Sequence, residues 1–290
     1  MRKIIIISIL SIFSLSLFSC KINKDENGQI TKKEQKVIDR VLETKTIKAA
    51  YTIYPPGCMK DKETGKLYGI FVETLEKVGQ ELNMKIEWTE EVGWGTQIEG
   101  LKTNRYDMMG SSVWANPKRA KFAYLSKPLY YSPISIFVRK DDNRWDNAKS
   151  WSVFNDPSVK ISTIDGGTGE VIVRNNFPKA TRISLPQMTE FSQSFMDVVH
   201  KKADLLFLEP FYGYKFSENN PNTIKNIAKD RPLRMFGNCY MYKQGEDEFQ
   251  QMINVVIEDL QNSGFIEDLI VKYEKYPNTI VRVQKPYSIR

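Results

Sequence analysis

The sequence predicts an α/β protein with a mainly parallel sheet and helices on both of its faces. Short apolar runs bounded by turn residues alternate with stretches of helical hydrophobic spacing, the pattern of strand–helix–strand units. The alternation occurs in two series, the second starting near Ile134. The chain has 290 residues, enough for two lobes with separate cores, and nothing after the first twenty residues approaches the length of a transmembrane helix.

In chain order, Thr31-Lys32-Lys33-Glu34 has capping-box form ahead of a short helix carrying Val37, Ile38, Val41 and Leu42. Ile47 to Tyr51 reads as the first strand. A helix follows Gly69, with Phe71, Leu75, Val78 and Leu82 at helical spacing, and Met84 to Trp88 is the next strand. A helix at 96–104 and a strand at 106–110 repeat the unit. The second series has strands at 134–139, 159–164, 181–184 and 203–208, with helices starting near Gly169, Thr189 and Pro210. Gly237 to Lys243 is extended, and closing helices occupy 246–262 and 264–273. Periodicity alone equally allows two sequential α/β domains.

The first twenty residues have the form of an export signal. Arg2 and Lys3 precede an apolar run from Ile4 to Phe18 that is too short for a comfortable membrane span. It closes on Leu17-Phe18-Ser19-Cys20, which resembles a lipoprotein processing site and implies that Cys20 carries acyl chains such as palmitate, with 21–36 as a polar tether. A simple secretory signal and an uncleaved anchor are the alternatives. Export permits a disulfide between Cys58 and Cys239; two unpaired, half-buried thiols are the plainer reading. His200 is the one histidine and there is no Cys-x-x-Cys pair, so neither metal nor cofactor is expected. The formal charge of +7 is spread along the chain with no basic run inside a nucleic-acid motif. It suits solubility and attraction to anionic surfaces, with no nucleic-acid partner.

The most informative stretch is Tyr106 to Tyr131. Asp107 to Gly110 is a buried strand that Ser111 and Ser112 end; Asn116 then caps a short helix with Pro117 at its first position. That places Arg119 beside the carboxyl end of the strand, where open α/β sheets bind ligands and where a planar guanidinium can grip a carboxylate. A solvated surface arginine is the bland alternative. Farther on, Ile164-Asp165-Gly166-Gly167-Thr168-Gly169-Glu170 runs from a strand into a helix whose first N–H groups are unpaired, a weak match to a phosphate loop because it lacks the Walker spacing. Ala203 to Glu209 ends a buried strand on a carboxylate, which requires a partner.

These segments together resemble the polar amino-acid class of bacterial extracellular solute-binding proteins, family 3. Asn116-Pro117-Lys118-Arg119-Ala120 stands for the family's T-x-x-R-A, and Leu125-Ser126-Lys127-Pro128-Leu129-Tyr130 for its F-S-x-P-Y-Y. Tyr54-Pro55-Pro56, Gly65 to Gly69, Gly167-Thr168-Gly169, Ala203-Asp204 and Ser263-Gly264-Phe265-Ile266 extend the likeness over roughly Val37 to Tyr276. The resemblance implies a two-lobed periplasmic-binding-protein type II fold. Its two hinge crossings would lie near Tyr131 to Pro133 and Phe236 to Cys239, with lobe 1 at 37–132 and 238–290 and lobe 2 at 133–237. It also implies a monomer, lipid-anchored on the periplasmic or outer face of a membrane. Such a protein captures a small carboxylate-bearing ligand, an amino acid or derivative, for an ABC permease.

On that resemblance Arg119, Thr168 and the Gly169 N–H hold the carboxylate, with Asp165 in the same turn. Glu209 takes the place of the family's ammonium-binding aspartate. The chain departs from the pattern at Tyr51, where many members have a second aspartate, at Gly57, where phenylalanine is usual, and at Trp114, where a small hydroxyl residue is usual; Ser112 lies just before it. Tyr51, Tyr54, Trp94 and Trp114 then wall a pocket for a flat or cationic ligand, with a core position as the equal alternative for Trp94. Two other functions remain open on the same fold. One is a periplasmic dehydratase of prephenate-like acids with Glu209 as general acid, and the other is a sensory module for another membrane protein.

Overall fold

The computed structural model describes residues 35–283, together with the backbone of two short strands, Asn23–Lys24 and Ile30–Thr31, which pair antiparallel. The signal segment and Cys20 lie outside the described residues, as does most of the tether. Residues 1–36 and 37–290 form separate units, and the second of them carries the fold.

Its sheet runs in the order Thr181–Leu185, Lys160–Ile164, Leu205–Leu208, Tyr130–Arg139, Arg234–Lys243, Met108–Trp114, Thr46–Tyr51 and Lys85–Glu91. Pairing is parallel at both ends of this path and antiparallel in the middle. The expectation of a mainly parallel sheet therefore holds only toward the two edges. The reason lies in two ten-residue strands, Tyr130–Arg139 and Arg234–Lys243. The first half of Tyr130–Arg139 pairs with the second strand, from Tyr130 opposite Asn238 to Ile134 opposite Arg234. Its second half pairs with Leu205–Leu208. A strand that leaves one lobe and another that returns to it must run in opposite directions.

Two large cores lie on either side of this crossing. Helix Ile70–Glu81 buries Ile70, Phe71, Leu75 and Val78 on one stripe and packs against helices Asp247–Asn262 and Phe265–Tyr273. Phe71 and Leu75 consequently share a core with Tyr240, Phe249 and Ile257, so the first lobe is assembled from both ends of the unit. The other core gathers Phe137, Phe154, Phe195, Leu205 and Phe216 beneath helices Phe191–Val199 and Pro210–Asn219. Cys58 and Cys239 are both buried and both free, and His200 is exposed at the C-terminal end of Phe191–Val199.

One strand differs from the sequence expectation in a way that matters for function. Ser111 and Ser112 do not end it: Met108–Trp114 is continuous and every one of its seven residues is buried. The strand lies between two others, and its serines are absorbed by hydrogen bonds. Ser111 Oγ accepts the Thr52 N–H at 2.9 Å, and Ser112 Oγ donates to Asn238 Oδ1. The strands Ala123–Leu125, Ile224–Asn226 and Val281–Arg282 are too short for periodicity to reveal.

Gly69 starts helix Ile70–Glu81 at φ 119° and ψ 174°, a region that only glycine occupies freely. A Cβ there would lie 2.7 Å from the Pro56 carbonyl oxygen. Gly69→Ala is expected to cost about 3 kcal/mol or more in urea denaturation. Gly65→Ala, also at positive φ (+70°) but with nothing within 4 Å, should cost only about 1 kcal/mol. Equal losses would show that the close approach at Gly69 is not structural.

Candidate functional site

Asn116 Oδ1 accepts the Arg119 N–H at 3.0 Å, closing the short helix Pro117–Ala120. The turn folds the Arg119 side chain back under the end of Met108–Trp114, where it is buried. Its Nη1 donates to the Trp114 carbonyl at 2.9 Å and its Nη2 to Gln97 Oε1 at 3.3 Å. Gln97 is itself buried and fixed by Nε2 donating to Thr52 Oγ1 at 3.0 Å. A guanidinium has five N–H donors, so most of its donating capacity is left over. Among the described residues no carboxylate pairs with it. Burial pushes its pKa down to about 10, which leaves it charged at neutral pH.

Across the cavity from Arg119, helix Thr168–Asn176 begins after Gly167. Thr168 and Gly169 line the same cavity as Arg119, Ser112 and Trp114, and the first-turn N–H groups are those a helix leaves without internal partners. Gly166 has φ +74°, and a Cβ on it would sit 2.7 Å from the Gly95 nitrogen. The loop from the first lobe and the turn from the second thus meet backbone to backbone. Gly95 N–H also donates to Gln187 Oε1 at 2.9 Å.

Glu209 follows the cavity-lining Leu208 and starts helix Pro210–Asn219. It is buried and accepts hydrogen bonds from the Tyr54 and Ser132 hydroxyls. Among the described residues it has no cationic partner. Burial raises its pKa to about 7, against the pull of those two hydroxyl bonds. The Tyr212 hydroxyl donates to the Pro55 carbonyl at 3.0 Å beside it.

Aromatic rings line the cavity beside Arg119. Tyr54 meets Trp94 edge-on at 5.3 Å, Trp114 at 6.0 Å and Phe191 at 5.6 Å. Trp114 stacks on Phe236 at 5.2 Å and donates its Nε1–H to Asn238 Oδ1 at 3.0 Å. Tyr54 and Trp114 are core residues and cavity wall at once, and half-buried Trp94 packs on the same cluster while lining the cavity. The cavity has about 50 Å³ of room for the centres of water-sized atoms. That is a few waters' worth, at about 10–15 Å³ each.

Three expected site residues are not part of the cavity wall: Glu209 sits one residue past Leu208, and two others are placed elsewhere. Tyr51 packs edge-on against Trp88 at 6.2 Å and accepts from Lys60 Nζ at 3.3 Å, in a separate depression. Successive strand residues face opposite ways, and it is Thr52 that faces the Arg119 cluster. Asp165 turns outward, its side chain 52% exposed, to pair with Arg182 at 3.0 Å and accept from Ser184 Oγ. Neither lines the cavity. Sequence reasoning missed Gln97, Phe191, Ser162, Ser194 and Asn238. A capping pattern or strand ending flags none of them, because their roles come from contacts between distant segments.

Residues 26–276 match the family described as bacterial extracellular solute-binding proteins, family 3, and the chain belongs to that family. It is similar to a probable amino-acid ABC transporter-binding protein of Haemophilus influenzae, 26% identical over 245 residues that cover 84% of this chain and 90% of the relative. Among solved structures it resembles a cysteine-binding protein from Campylobacter jejuni (TM-score 0.70, 18% identity, 85% of this chain and 99% of the other). It also resembles an ancestral amino acid-binding protein described as a precursor of cyclohexadienyl dehydratase (TM-score 0.68, 21% identity, 83% and 100%). At these identities the structures establish the shared two-lobed type II fold.

Glu209 makes stability depend on pH. Its folded-state pKa of about 7 lies above its ordinary value of 4.5, so between those limits the folded protein binds the extra proton. Stability from this group is therefore full below about pH 4.5 and declines as pH rises toward 7, by roughly 3 kcal/mol in all. Urea titrations across this range should show that decline in the ligand-free protein and lose most of it in Glu209→Gln. Parallel pH profiles for the two proteins would refute the assignment.

Proposed function

We propose that the protein is a lipid-anchored solute-binding protein that closes on a small amino acid or amino-acid derivative and delivers it to an ABC permease. The observation that carries this reading is a pair of buried ionisable side chains of opposite sign, Arg119 in the wall of an aromatic cavity and Glu209 bonded to Tyr54 of that wall, with no ion-pair partner for either among the described residues. A zwitterion supplies both counter-charges. Its carboxylate takes the spare guanidinium donors of Arg119 and the N–H groups at Thr168 and Gly169; its ammonium takes Glu209. Tyr54, Trp94 and Trp114 face the rest of the molecule. Lobe 1 (37–132 and 238–290) and lobe 2 (133–237) then rotate about the two crossing strands, and ligand shifts the population to the closed state. The relatives' descriptions as amino-acid-binding components of ABC transporters favour transport.

One observation favours a second reading. A buried glutamic acid with a pKa of about 7 in an aromatic cavity is suited to general acid work, and the fold includes a relative described as a dehydratase precursor. Glu209 would then protonate the hydroxyl of a prephenate-like acid so that it leaves as water, while the ring carboxylate leaves as carbon dioxide and its electron pair completes the aromatic ring. Incubation of the protein with prephenate, followed by ultraviolet detection of an aromatic product, distinguishes the two: turnover abolished by Glu209→Gln would make it an enzyme.

Arg119→Met is expected to fold, since it replaces an unpaired buried charge with an apolar chain, and to weaken amino-acid binding about 100-fold or more by calorimetry. Unchanged affinity would remove Arg119 from the anion site. Cys20→Ser should move the protein from the membrane fraction to the soluble fraction. Persistence in the membrane would make the apolar leader itself the anchor.

A further inference from the structure

The cavity continues past the face between the lobes and into the second lobe. There its wall is Ser162 on strand Lys160–Ile164, Ser194 on helix Phe191–Val199, and Leu206 on strand Leu205–Leu208. Ser162 and Ser194 are both buried, and behind them lies Asp197, whose exposure is 2%. Ser162 Oγ donates to Asp197 Oδ2 at 3.1 Å. We propose that this pocket receives a ligand side chain carrying a nitrogen hydrogen-bond donor, read by Ser162 with Asp197 behind it. The proposal rests on the amino-acid reading above and names the class of side chain.

The argument turns on where protons can go. Ser162 commits its single hydroxyl proton to Asp197 Oδ2, which leaves the lone pairs of that oxygen free to accept. The carboxylate of Asp197 is weakly compensated. Gln193 Nε2 is 3.5 Å away, and Lys202 Nζ is at 3.8 Å on a side chain 64% exposed. The Ser162–Asp197 part of the wall therefore accepts hydrogen bonds and is biased toward positive charge. Thr163, the next residue on the strand and also part of the cavity wall, has a buried hydroxyl with no partner among the described residues. Leu206, Phe207 and Leu208 supply the rest of the lining on that side. An amide, imidazole, ammonium or guanidinium group satisfies this wall. A hydrocarbon or thioether leaves the Ser162 lone pairs unmatched, and a carboxylate meets Asp197.

The test uses full-length protein and two pairs of probes that differ in that group, L-glutamine against L-methionine and L-lysine against L-norleucine, measured by titration calorimetry. In at least one pair the nitrogen-bearing member should bind about tenfold or more tightly. Ser162→Ala should cut that preference to about threefold or less while changing the affinity of the other member by less than about threefold. Asp197→Asn should reduce the preference in the same direction, and Ser162→Ala keeps the test decisive if the aspartate variant does not fold. Equal affinities within both pairs, or a preference that Ser162→Ala leaves intact, would overturn the side-chain assignment while the amino-acid reading stands. Binding of none of the four by folded protein would overturn both.

Discussion

Everything in this fold hangs from the antiparallel pairing of residues 130–134 with 234–238, and one side chain fixes that pairing to the site. Asn238 is completely buried. Its amide oxygen accepts from Ser112 and from Trp114 Nε1, and its amide nitrogen donates to Ser132 Oγ at 2.8 Å on the other crossing strand. A buried amide with partners missing would cost on the order of 1–3 kcal/mol per unmatched group; here both ends are used. The register of the two crossings and the end of strand Met108–Trp114 are thereby set together. Arg119 hydrogen-bonds to the Trp114 carbonyl, so the position of the guanidinium is inherited from the hinge.

The chain brings two charges out of water and gives each only neutral partners. Arg119 has a main-chain carbonyl and the Gln97 amide; Glu209 has two hydroxyls. Hydrogen bonds of this kind orient a charged group without neutralising it, and the depressed guanidinium pKa and raised carboxyl pKa are two signs of the same desolvation. The aromatic rings of the cavity wall lower the local polarity further. A site of this kind discriminates sharply, because any ligand that leaves either charge unmatched inherits the desolvation cost.

Much of the fold was legible because it is local. The Asn116-Pro117 cap, the helix after Gly69 and the strand ending on Glu209 all follow from capping, spacing and apolar runs, and they place Arg119, Thr168 and Glu209 where the structure has them. The illegible parts are those that distance decides. Nothing near Ser111 or Ser112 says that Thr52 and Asn238 will bind their hydroxyls and keep the strand going. Tyr51 and Thr52 are adjacent, and only the direction of the strand, not its composition, decides which of them faces Arg119. Asp165 sits in a glycine-rich turn as the pattern requires, yet Arg182 and Ser184 on the neighbouring strand draw its carboxylate outward.

Hydrogen bonds and ring packing both join the segments on the two sides of the cavity. Three are single hydrogen bonds: Gly95 to Gln187, Tyr212 on helix Pro210–Asn219 to Pro55, and Tyr54 to Glu209. A neutral hydrogen bond contributes a net of about 0.5–1.5 kcal/mol, while the desolvation of an unmatched ion costs several kcal/mol. Under the proposed function, a ligand with the opposite charges at its two ends would relieve that cost at Arg119 and Glu209. Ser132 links the Glu209 carboxyl to the crossing strands, since it bonds Glu209 on one side and Asn238 on the other. On the proposed function, an ammonium group bound at Glu209 would then be felt at the crossing strands without any contact between ligand and hinge.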